Sequence, residues 1–186
     1  VFFQQASTAA KTSTMVRQFS ATLAESRIVL KGSPFGAIPF NVTPVVISAG
    51  AAPQGMVASA TALSNPFGGN TFVFTLGSGS ARIFILRMTS VPQQVCARLL
   101  TATSGVEWSN VNGGSGGTTI VSSGFIGTSV APTGFLGTER NFLMNPTEAG
   151  WMCKYGSSNY GTKTSQPNST PLSGNVDIDM MFLVDG

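Results

Sequence analysis

Cys96 and Cys153 are the only cysteines and the only candidates for covalent cross-linking. Each lies midway along a short amphipathic segment with its own helix-start signals, Ser90–Thr103 and Asn145–Gly156. The chain between them is rich in Gly and Ser. One reading is a disulfide closing that loop, worth ~4 kcal/mol in the chain-entropy model. The other is two buried thiols, because Cys is among the residue types most often buried. A second chemical candidate is the pair Asp177 and Asp179, since paired carboxylates can share acid–base work. They alternate with Val176, Ile178 and Met180, which predicts that both project from the outer face of a strand. The chain has no histidine. Ser–His and Cys–His nucleophiles and imidazole metal sites are therefore out of reach. The Gly113–Gly117 run lacks the Lys-Ser/Thr ending of a phosphate loop and reads as a turn. No catalytic, cofactor-binding or metal-binding residue follows from these patterns, and a secreted enzyme has no support in them.

The composition fits that reading. One domain spanning residues 1–186 is the expectation for this length. Charged residues make up 9% of the chain, against roughly 25% in ordinary soluble domains. Gly, Ser, Thr, Asn and Gln take their place, as suits proteins that pack on copies of themselves or work outside the cell. The net charge of +3 is too weak and too scattered for a nucleic-acid surface. Lys11, Arg17, Arg27 and Lys31 are spread through a helical pattern, as on a solvated or partner-facing side. No membrane span or signal peptide is visible. The opening Val1-Phe2-Phe3, without Met or a polar lead-in, reads as a helix cut part-way along.

The elements that would position the cysteines follow in order. Residues 1–32 predict one helix, with no Pro or Gly before Gly32. Phe2, Ala6, Ala9 or Ala10, Val16, Phe19, Leu23 and Leu30 form its expected buried stripe. Phe2 and Phe3 project at the free end and call for another partner, such as a second copy. Residues 33–70 read as a connecting loop holding one helical turn or short strand near Asn41–Gly50. Residues 71–76 and 81–88 predict a hairpin, with Arg82 and Arg87 bracketing an apolar run buried on both faces. Ser90 is the expected cap of the first cysteine helix, with Pro92 in its first turn and Val95, Leu99 and Leu100 on its buried side. One or two short strands are expected near residues 118–122 and 124–127. Asn145-Pro-Thr-Glu148 predicts a capping box opening the second cysteine helix, which Gly156 ends. Residues 175–184 predict a strand too apolar for a sheet edge, so it should insert between others. Residues 71–186 thus form a sheet and a cysteine-bounded region, and the class is α+β.

Four motifs in this order resemble a known family. Ala51-Ala-Pro-Gln-Gly-Met-Val57 and Asn65-Pro-Phe-Gly-Gly69 are similar to the middle region of PilS-like thin-pilus pilins and bundle-forming pilins, the type IVb class. Val91-Pro-Gln-Gln-Val-Cys96 is similar to the helix bearing that family's first cysteine, and Asn145-Pro-Thr-Glu-Ala149 to the helix leading to its second. The resemblance spans nearly the whole chain. It implies a type IV pilin fold with a long N-terminal helix packed on an antiparallel sheet. It implies a Cys96–Cys153 disulfide, no enzymatic activity and no cofactor. It also implies a hydrophobic half-helix upstream, processed and N-methylated, that sits in the inner membrane before assembly. Copies of the chain, the pilus assembly machinery, minor pilins and a host-cell or recipient-cell surface would be the partners. The product would be an extracellular filament for adhesion, aggregation or mating, with this chain its major subunit. The alternative is a minor pilin or tip adhesin that binds a receptor or glycan.

Overall fold

A computed structural model of the chain describes residues 2–33, 35, 40–78, 81–103, 108–113, 145–156 and 170–184. Helix α1 (Phe2–Leu30) comes first. It stops where the sequence signals: Gly32 takes φ +86°, a left-handed value open to glycine, and the Ser33 N–H donates to the Leu30 carbonyl at 3.2 Å. Its buried stripe is Thr12, Met15, Phe19, Thr22, Leu23, Ser26 and Leu30. The three-to-four spacing holds, but the stripe is shifted and more polar than expected. Ala6, Ala9 and Ala10 are exposed. An open groove separates this stretch from α3, and an alanine methyl has little surface to gain by burial.

The segment read as a connecting loop contains regular structure. It holds β1 (Phe40–Asn41), α2 (Thr43–Ser48), a single 3-10 turn at Gln54–Met56, β2 (Val57–Ser59) and β3 (Ala62–Ser64). Strands of two or three residues are too short to show a period. Pro44 occupies the first turn of α2, as helix starts permit. The Asn41 carboxamide oxygen accepts from the Thr43 N–H at 2.9 Å, and the buried Thr43 hydroxyl accepts from the Val73 N–H at 2.9 Å. The first bond shapes the turn into α2, and the second fastens this segment to β4.

The central hairpin is β4 (Asn70–Ser78) and β5 (Ala81–Val91), in unbroken register from Thr71↔Met88 to Ser78↔Ala81. Asn65-Pro-Phe-Gly-Gly69 locks the entry to β4. The Asn65 carboxamide oxygen accepts from the Phe67 and Gly69 N–H groups at 2.9 and 3.2 Å, and its NH2 donates to the Thr89 carbonyl at 2.8 Å. Only glycine fits at position 69, because the Thr89 backbone occupies the space a Cβ would need.

After β5 come α3 (Gln93–Ala102), β6 (Trp108–Gly113), α4 (Pro146–Tyr155) and β7 (Val176–Leu183). All strand pairings are antiparallel, in the order β2-β3-β4-β5-β7-β6, with β1 on the same edge of β4 as β3. As expected, β7 lies inside the sheet, between β5 and β6, and its residues 176–182 are all buried. Strand β6 was not foreseen; its Ser, Asn and Gly residues read as loop. The strands expected near 118–127 lie outside the described residues.

The sheet has two buried faces. On one, Val73, Phe84, Leu86, Met88, Ile178, Met180 and Phe182 join Phe19, Leu23 and Leu30 of α1 in one core. Phe182 is its aromatic centre, 5.9 Å from the Phe19 ring and 5.3 Å from Phe84. On the other face Phe72, Phe74, Leu76, Ile83, Ile85 and Met181 form a second cluster.

Candidate functional site

Of the two cysteine helices, α4 is built as its cap dictates. In α4 the Asn145 carboxamide oxygen accepts from the Glu148 N–H at 2.9 Å, and the Glu148 carboxylate accepts from the Asn145 N–H at 3.3 Å. In α3 the cap position belongs to Pro92 rather than Ser90. Ser90 is the last residue but one of β5, at φ +56°, where a register shift lets Val91 pair with Val176. Its N–H donates to the Asp177 carboxylate at 3.1 Å, so a side-chain cap is ruled out by the strand's own irregular end. Val95, Leu99 and Leu100 are buried as expected.

Helices α3 and α4 lie against each other. Cys96 and Cys153 form a disulfide with Cα atoms 5.9 Å apart across 57 positions of sequence. Both are fully enclosed, among Leu99, Ala149, Met152 and Val111 of the α1-side core. The cross-link therefore ties the ends of the long intervening segment to the core itself.

Asp177 and Asp179 are not on an outer face. They are 1% and 0% exposed, beside Arg87 at 0%. Arg87 donates to both carboxylate oxygens of Asp179 at 3.1 Å and to Asp177 at 3.3 Å. Arg87 faces Asp179 directly in the β5–β7 register. The run 83–86 that it brackets with Arg82 is buried on both faces as expected, but Arg87 is itself buried, as the countercharge of two buried acids. Such a pair is held in place by its partner and hydrogen bonds, since a lone buried charge is costly. Alternation alone could not reveal this, because the arginine comes from a strand about 90 positions earlier.

A different kind of surface lies along the start of α1. Residues 4–11 are all exposed. A groove of about 440 Å³ runs between this stretch and α3, past Thr8, Gln94 and Arg98. A second, of about 570 Å³, runs on past Lys11, Gln93 and Asn175. Their charge is basic and their remaining polar groups are amides and hydroxyls. Phe2 and Phe3 fall in the first turn of the same helix. Among the described side chains, large apolar ones are exposed at Ile28 (68%), Phe40 (66%) and Val45 (48%). Among the described residues no group of His, Cys, Asp or Glu could hold a metal ion, and no helix is long and apolar enough to cross a membrane.

A long N-terminal helix on an antiparallel sheet, with a buried disulfide fastening two short helices, defines the type IV pilin fold. The family model described as PilS N terminal matches residues 9–135. The chain belongs to that family, the PilS-like type IVb pilins, and its role is that of a pilin-related structural protein. A comparison with curated proteins returns no match.

Proposed function

We propose that this chain is the major structural subunit of a type IVb pilus and that copies polymerise through α1. The observation that carries this reading is the exposure of α1 from Gln4 to Lys11, a stretch of well-formed helix that the chain's own body leaves uncovered. A helix without an apolar stripe against its own fold gains little from tertiary packing. A neighbouring copy would supply that packing, with Phe2 and Phe3 on the filament-facing side. The disulfide-bounded region and the surface around β1 and α2 would present the outer contacts used in adhesion, aggregation or mating. Filament assembly outside the cell, after membrane insertion of the encoded pilin, is the corresponding location.

The test is expression of the encoded pilin in a pilus-assembling strain that lacks it. Filaments should appear, and this chain should dominate their protein content. Filaments of normal number in its absence would overturn the major-subunit reading, and scarcity in sheared pili would point to a minor or tip subunit.

A further inference from the structure

The seam between α1 and the sheet contains a small cavity whose wall is mostly apolar, with a few polar groups set into it. It is lined by Gln18 and Thr22 of α1, Thr71 of β4, and the methionines Met15, Met56 and Met88. Among the described residues two of the polar groups have no hydrogen-bond partner: the Gln18 side-chain oxygen Oε1 and the Thr71 hydroxyl Oγ1. Thr71 is 2% exposed. It lies two residues from Val73 on β4, on the face that packs against α1. The Thr22 hydroxyl is within reach of the Gln18 backbone carbonyl at 2.9 Å and of the Met56 sulfur at 3.5 Å. It has a single proton to give, so its oxygen retains acceptor capacity.

We propose that this cavity is a binding site for one structural water, which joins α1 to β4. The volume of about 10 Å³ matches the room a single water needs. The chemistry also closes. Water accepts from the Thr71 hydroxyl and donates to Gln18 Oε1 and Thr22 Oγ1, giving three partners, the usual number for buried water. Both orphaned groups are then satisfied at once. A wholly apolar cavity of this size would stay dry, but this mostly apolar one carries two unpaired polar atoms, each costly if left unsatisfied. The water is thus part of how the polymerising helix is seated on its own domain. The inference does not rest on the assembly reading, because it concerns the monomer alone.

The experiment is a pair of measurements on the purified chain. A high-resolution crystal structure, or a water-to-amide nuclear Overhauser experiment, should show a long-lived water within hydrogen-bond distance of Thr71 and Gln18. Thr71→Val keeps the shape and suits a strand, yet removes the water's donor. Its Tm should fall by about 2–8 °C. The double variant with Gln18→Met should be more stable than the two single changes predict together, since neither polar group then remains to be satisfied. An unchanged or raised Tm for Thr71→Val would mean a dry cavity and overturn the proposal. So would the absence of bound water in the wild-type chain, which decides the matter even where a variant fails to fold.

Discussion

The two halves of α1 share one helix and differ in almost everything else. From Thr12 onward every third or fourth residue is buried, against Phe182 and its neighbours. From Gln4 to Lys11 nothing is. Helical propensity does not separate them, for both are free of Gly and Pro. What separates them is whether the chain's own sheet lies underneath. The packed half is accountable for the stability of the domain, and the exposed half is free to serve something outside it.

Substitutions can break that contrast or sharpen it. The largest effect belongs to the body. Phe19→Ala should cost about 3–5 kcal/mol by urea denaturation, through lost burial and the cavity left against Phe182. A cost below about 1 kcal/mol would show that the packed half is not packed. Arg87→Met should be comparable, about 3–5 kcal/mol, because it strands two buried carboxylates. Cys96→Ser should lower stability by about 2–5 kcal/mol and abolish piliation, and it is checked by denaturation alongside reduced wild type. Asn145→Ala removes one half of the capping box and should cost about 1 kcal/mol. The smallest stability effect belongs to the exposed half. Replacing both Phe2 and Phe3 by Ser should leave the unfolding midpoint of the monomer within experimental error while piliation drops sharply. A large fall in monomer stability would place them in the core and erase the contrast.

The parts of the fold that could be read from the sequence are those in which one residue has one physical job. Gly32 ends a helix, Asn145 and Glu148 begin one, and the wholly apolar run after Asp179 has to be interior. The two cysteines alone leave a disulfide and a pair of buried thiols both open, and the family resemblance is what implies the disulfide that the structure holds. The illegible parts depend on partners far away in sequence. Asp177 and Asp179 alternate with apolar residues whether their side faces water or an arginine, and only the β5–β7 register shows which. Thr12, Thr22 and Ser26 are buried although a hydropathy pattern passes over them. Thr12 and Thr22 donate to carbonyls four residues back, which lets a hydroxyl enter an apolar seam at little cost. Ser90 resembled a helix cap, but it ends an irregular strand. Along residues 4–11, the surface proposed for assembly, the absence of a buried stripe is itself the signal, and a pattern search for apolar spacing passes over it.

The position of β7 has a consequence for how the molecule comes to be. Among the described strands β6 pairs only with β7, and β7 reaches β5 across more than 80 positions of sequence. During synthesis β6 therefore has no sheet to join until Leu183 has emerged. Until then β5 presents an open edge of Ile, Phe and Leu, the kind of edge that recruits other chains. Closure of so long a loop is slow compared with hairpin formation. A chain of a pilin family built in this way passes through an aggregation-prone interval before β7 arrives.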